Sequence, residues 1–230
     1  MTDVVVVCEG RSEEAFINEL VQPALATNAV YLQARLISTS PGSKGGALNR
    51  DRVVGSLCRV LRERDDTYVT TFFDLYGLPA DFPGRSPSPA LRDSIARCKQ
   101  IEESLHHVVT QRAQRRKDRF VPHIQPHEFE ALLFADTNAF VRVNPDWQSA
   151  ESDLAKLVNS AGGPEQVNDG PDTHPSAWLK RVLPGYRKVA HGAAVAVAIG
   201  LDRIRAECRH FAQWLGRIEA LPPLGRGADQ

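Results

Sequence analysis

The chain has 230 residues, 42% hydrophobic and 24% charged, an ordinary globular composition long enough to bury a substantial core. Its 28 Lys and Arg offset 28 Asp and Glu; that balance argues against a histone-like partner, yet allows one basic face beside an acidic pocket. Cys8, Cys58, Cys98 and Cys208 lie 40 or more residues apart with no CxxC pair, which gives neither a zinc ribbon nor a disulfide framework and leaves buried thiols as the expectation.

The first element, Asp3 to Cys8, is a β-branched run apolar on both faces, as a central parallel strand requires. It stops at Glu9-Gly10. Ser12-Glu13-Glu14 then opens an amphipathic helix carrying Phe16, Ile17 and Leu20, with Ser12 as the expected N-cap. Val30 to Ile37 reads as a second strand and Ser38 to Gly46 as a loop of small residues. Asp51 to Arg64 is helical by periodicity. Tyr68 to Phe73 is a third strand, ending on Asp74. This β-α-β-α-β alternation predicts a mainly parallel sheet with helices on its faces. Ligands of such sheets gather at the carboxyl ends of strands, where Glu9 and Asp74 both fall.

Leu78 to Pro89, with four prolines, is a loop or lid. Pro89 to Arg116 reads as one long helix, Arg119 to Gln125 as a fourth strand, and His127 to Phe134 as a turn into a helix. From Asn138 onward the pattern is mostly helical, clearest at Asp153–Val158, Ser176–Leu183 and Asp202–Leu215. Gly162-Gly163-Pro164 and Asn168-Asp169-Gly170-Pro171 break it up. The expected organisation is an α/β core over residues 1–137 and a mostly helical extension over residues 138–230 packed on it, the two forming either separate units or one domain.

Glu9 alone is equally consistent with a helix-capping acid or half of an ion pair. Asp74 repeats the situation, and two strand-terminal carboxylates in one sheet suit a hard divalent cation such as Mg²⁺. Glu128 and Glu130 add two more acids. On a helix they would stand about 200° apart, so one would face a metal and the other pair elsewhere unless the backbone turns between them.

Val7-Cys8-Glu9-Gly10 with Glu13, and the later strand end at Asp74, resemble the Toprim fold of topoisomerases, primases and related nucleases. The chain more closely resembles the bacterial family of domain of unknown function 4276, itself regarded as Toprim-like. The matching pieces include Ser43-Lys44-Gly45-Gly46, the run from Phe73 to Pro79 and the run from His127 to Phe134. Pro184 to Lys188, His191-Gly192, Ile199 to Asp202 and Cys208 to Leu215 match as well. The resemblance implies that Glu9 serves as general acid or base and Asp74 as a ligand of Mg²⁺ or Mn²⁺. Toprim enzymes carry a second Asp where this chain has Tyr76, so Glu128 or Glu130 is the candidate replacement. It also implies hydrolysis of DNA or RNA, and an ATPase encoded nearby in a bacterial defence-type arrangement. The alternative is a non-catalytic subunit that binds nucleic acid or the ATPase.

Among basic and polar candidates, Lys44 in its glycine-rich loop reads as a surface turn or as a phosphate contact. Lys188 and His191 form a polar knot that could reach the acids, although a histidine there also serves as an ordinary hydrogen-bonding residue. Arg112, Arg115, Arg116 and Arg119 share a face if the helix continues that far; a solvated helix end is the expectation, a phosphate-tracking stripe the alternative. His106, His107, His123 and His210 show no ligand spacing. No run is long enough to span a bilayer and no signal-peptide layout is seen, so a cytoplasmic location is expected.

Overall fold

The computed structural model describes residues 1–40, 43–44, 49–85, 93–167 and 174–225, excluding the side chains of residues 38–40 and 43–44. Strand β1 (Thr2–Cys8) lies at the centre of a parallel sheet between β2 (Val30–Leu36) and β5 (Thr67–Asp74). Its valines alternate between two apolar layers. Val4, Val6 and Cys8 join one core cluster, and Val5 and Val7 join the other. A strand with both faces covered has no polar face to show, and so its sequence reads as continuous apolar residues.

The first layer packs α1 (Arg11–Phe16), the π turn Ile17–Val21 and α2 (Gln22–Ala26) against the sheet. Helices α8 (Lys188–Ile199) and α10 (Arg209–Glu219) complete it. The second layer is α3 (Arg50–Glu63) and α4 (Ser94–Ala113). One hydrophobic cluster therefore runs from Val4 to Ile218 and includes residues of both the α/β part and the helical part. Polar ties join them too: Trp214 Nε1 donates to Thr70 Oγ1 at 2.9 Å, and Tyr68 OH to the Pro222 carbonyl at 2.9 Å. The remaining helices are α5 (Asn138–Val143), α6 (Glu151–Ala161), α7 (Pro175–Val182) and α9 (Leu201–Glu207). Among the described residues no helix is long and apolar enough to cross a membrane.

Several local expectations are corrected. The first helix is capped by Gly10, and Ser12 lies inside it, buried. The small-residue loop contains a short antiparallel pair, β3 (Ser38–Ser40) with β4 (Ser43–Lys44). The fourth strand is split into β6 (Phe120–Val121) and β7 (Ile124–Gln125), both parallel to β5. Pro122 has no N–H for the ladder. The Thr71 hydroxyl fills the gap, donating to the His123 carbonyl at 2.8 Å and accepting from the His123 N–H at 2.9 Å. The helical stretch expected from Asp202 to Leu215 is two helices, broken at Cys208. Asn168–Pro171 and the prolines at 87 and 89 lie outside the described residues.

The arginine stripe does not form. Helix α4 ends at Gln114 in the left-handed region (φ 52°), so the later arginines do not continue its face. Arg119 is only 1% exposed, and its guanidinium closes the chain crossing between α3 and β5. It donates to the carbonyls of Leu61 at 3.2 Å, Thr67 at 3.1 Å and Arg64, and pairs with Asp65 at 3.2 Å. Arg119→Met keeps the volume but orphans buried acceptors, so urea denaturation should show a loss of about 2–4 kcal/mol. A loss below about 0.5 kcal/mol, the range of ordinary surface substitutions, would return Arg119 to the solvated stripe.

Candidate functional site

The parallel register sets the first two acids. Cys8 pairs with Leu36 on one side and Phe72 on the other, so Glu9 and Asp74 leave adjacent strands at the same edge. Asp74 is the last residue of a wholly buried strand and pairs with Gln125 of β7. Beyond Gln125 the chain turns sharply, with His127 at φ 60°. That left-handed conformation costs a non-glycine residue about 1–2 kcal/mol. Two backbone hydrogen bonds hold it, from Leu75 N–H to the Gln125 carbonyl (3.0 Å) and from Tyr76 N–H to the His127 carbonyl (3.2 Å).

The turn delivers the other two acids. Glu128 is extended (φ −140°, ψ 162°), and a 3-10 helix begins only at Phe129 and runs to Ala135. The two glutamates do not share a helix, which is the condition under which both can face one site. Phe129 N–H donates to Asp74 Oδ1 at 2.8 Å. Asp74, Glu128 and Glu130 each bring a carboxylate oxygen within 4.8 Å of the others.

Lys188, the first residue of α8, inserts its ammonium among them. Nζ lies 3.0 Å from Glu130 Oε2, 3.4 Å from Asp74 Oδ2 and 3.6 Å from Glu13 Oε1. Burial alone would pull its pKa down, but Asp74, Glu130 and Glu13 hold it above the ordinary lysine range. The acids respond in turn. Burial, reinforced by the charge of Glu13, raises Glu9 to about 7. Burial also raises Glu130 to about 7, against the pull of Lys188, and lifts Asp74 well above the usual carboxylate range. Glu128 goes the other way. Its desolvation is outweighed by Lys188, by the Ser176 N–H and by His174. Glu9 Oε2 and Glu130 Oε1 are buried without a hydrogen-bond partner. Orphaned anionic oxygens are costly to bury and suit a cation.

Three contributors were not singled out as site residues by sequence reasoning. Glu13 is 3% exposed and reaches the ammonium from α1; its signal is the spacing of four from Glu9 across a helix start. His174 and Ser176, at the start of α7, hold Glu128. His174 Nδ1 lies 3.0 Å from Oε2, Ser176 N–H donates to Oε2 at 2.9 Å, and the Ser176 hydroxyl donates to Oε1 at 3.1 Å. Nothing local in the sequence marks that pair.

The other candidates fall elsewhere. His191 Nδ1 accepts from the Arg187 N–H at 3.0 Å, and its ring packs on Trp147 and Tyr186. Tyr76, where a second Asp would complete a Toprim pair, has its hydroxyl 3.2 Å from His127 Nδ1. The side chain of Lys44 lies outside the described residues. Glu9 stands beside the three mutually close acids, with Gly77 backbone packed on its carboxylate so tightly that a Cβ there would collide with both oxygens.

A family model described as Domain of unknown function (DUF4276) matches residues 8–219, which places the chain in that family. No curated protein and no solved structure matches it.

The raised acids give a pH signature. The folded pKa of Glu9 is about 7 against an ordinary 4.5, so its neutral form favours folding. That contribution is full below about pH 4.5 and is lost as pH rises through about 7. Metal-free Glu9→Gln should therefore match wild type near pH 4 and exceed it by roughly 1–3 kcal/mol at pH 8, read from denaturant midpoints. Equal stability of the two proteins at pH 8 would mean that Glu9 is not desolvated. Gly77→Ala should displace the same carboxylate, giving the larger stability loss at acid pH, where the protonated group must fit.

Proposed function

We propose that this member of the DUF4276 family is a Mg²⁺- or Mn²⁺-dependent hydrolase that cleaves phosphodiester bonds of DNA or RNA on a Toprim-like core. The observation that carries this reading is the convergence of Asp74, Glu128 and Glu130 within 4.8 Å at the carboxyl edge of a parallel sheet. The unpartnered Glu130 Oε1 suits a cation, and an all-oxygen set suits a hard one. Asp74, Glu128 and Glu130 would hold the metal, with the glutamates supplying what Tyr76 does not. When bound, such an ion supplies Lewis-acid charge to a phosphodiester and its attacking water.

The chain's own groups divide the remaining work. Glu9, poised at about 7, can take a proton from water and return it to the leaving oxygen at neutral pH. Lys188 brings a permanent positive charge to the same corner, where it can bind a phosphate oxygen as the substrate's charge arrives. His174 and Ser176 fix the rotamer of Glu128, so the carboxylate need not reorganise on loading. An ATPase encoded nearby, in a bacterial defence-type arrangement, is the partner this reading takes from the family resemblance.

A second reading is a non-catalytic subunit that binds nucleic acid or the ATPase. It is favoured by Tyr76, whose hydroxyl is engaged with His127 where a second acid would stand. Divalent-metal assays on DNA and RNA, with and without the ATPase, separate the two. Under the catalytic reading Glu9→Gln keeps most Mn²⁺ affinity and loses about 10²–10⁴-fold in turnover. Asp74→Asn loses Mn²⁺ affinity, and excess Mn²⁺ restores part of its rate. Wild type that neither binds Mn²⁺ nor cleaves either polymer leaves the binding-subunit reading. Turnover of nucleotides without polymer cleavage redirects the chemistry to small phosphoesters.

A further inference from the structure

A second cluster lies at the β6–β7 edge of the sheet. Glu102 comes from α4, His123 from the gap between β6 and β7, and His210 from the first turn of α10. They are 8%, 1% and 3% exposed, and each offers one ligand atom within 4.8 Å of the others. All three line a cleft of about 620 Å³, together with Lys99, Trp214 and Arg217. We propose that Glu102, His123 and His210 form a binding site for a borderline transition-metal ion of the Zn²⁺ class, with its open coordination position facing this cleft.

The donor set selects the ion. Two imidazoles and one carboxylate suit Zn²⁺ and its neighbours, whereas Mg²⁺ prefers oxygen alone. Three protein ligands leave one position open, the usual layout of a reactive zinc site. The spacing agrees. Tetrahedral bonds of about 2.0–2.1 Å set ligand atoms about 3.3 Å apart. Glu102 Oε1 lies 2.9 Å from His210 Nε2 and 3.5 Å from His123 Nδ1.

The surroundings hold the ligands in orientation, as outer partners do around metals. The Ile124 N–H donates to Glu102 Oε1 at 2.8 Å. His123 Nε2 lies 3.3 Å from Gln125 Oε1, and the neutral tautomer that donates there has its Nδ1 lone pair available to a metal. Trp214 stacks on His123 with centroids 5.0 Å apart, and His210 stacks on it at 5.1 Å. Glu165 fixes the backbone of His210, accepting from the N–H groups of His210 at 2.8 Å and Phe211 at 3.0 Å. His210 Nε2 faces Glu102 Oε1 and the Ile124 carbonyl at 3.1 Å, and its Nδ1 is buried without a partner.

The electrostatics leave room for the cation. Against the cost of its burial, the neighbouring His123 and His210 rings hold Glu102 below the usual carboxylate range. Burial keeps His123 towards its neutral form. A buried carboxylate beside a lone pair is satisfied by a positive ion placed between them.

The test uses the full chain in saturating Mg²⁺, which fills the all-carboxylate centre first. Zn²⁺ is titrated against a chromophoric chelator, and Co²⁺ is followed by its visible spectrum. The expected result is one equivalent of Zn²⁺ that Mg²⁺ does not displace, with four-coordinate Co²⁺ bands. Affinity should fall about 10–100-fold in Gln125→Leu, by more in His210→Gln, and not at all in Asp74→Asn. X-ray absorption of the zinc-loaded wild type should show imidazole scattering, a measurement that survives any folding defect of the variants. Absence of Zn²⁺ binding under Mg²⁺ overturns the proposal. So does sulfur scattering from the cysteines, or binding lost in Asp74→Asn and kept in His210→Gln.

Discussion

A single ammonium is what makes the acidic corner compatible with a folded core. Glu13, Asp74 and Glu130 are almost fully buried, and Glu9 and Glu128 stand close by. Uncompensated, such a group of anions would be expelled or neutralised. Lys188 compensates three of them directly, and protonation of Glu9 and Glu130 near neutral pH relieves part of the rest. The corner is therefore held near balance and not in deep excess of either sign. A small change in local charge, from a proton, a cation or a phosphate, redistributes the whole set.

That balance draws on the helical part of the chain as well as on the sheet. Lys188 opens α8, which packs on α1, and α1 carries Glu13. The α7 start clamps Glu128. Beside β6 and β7, α10 contributes His210 and anchors to β5 through Trp214. Both polar clusters are thus built jointly by the sheet and the later helices.

The parts of this arrangement legible in the sequence are those set by short-range pattern. Four consecutive valines declare a central strand, and an acid after an apolar run marks its end, so Glu9 and Asp74 could be read directly. What was not legible depends on backbone choices that periodicity does not encode. His127 adopts a left-handed conformation without being glycine, and that places Glu128 outside the helix assumed for it. Arg119 sits in a visibly charged run, yet the helix stops before it and the side chain turns inward. Glu102, His123 and His210 are separated by 21 and 87 positions, counted from their numbers in the chain. No motif spacing could join them; only the crossing of α4, the split strand and α10 does.

The order in which these pieces leave the ribosome gives the distribution of charge a temporal meaning. By the time residue 137 has been made, every acid of the corner exists and its lysine does not. Until Lys188 follows, the carboxylates lack the ammonium that pairs with Glu13, Asp74 and Glu130 in the folded protein, a contact of long sequence separation. Compensation of the corner therefore waits on α8, which carries Lys188. The counter-charge of the corner thus comes from the last third of the chain, and its acids from the first two-thirds.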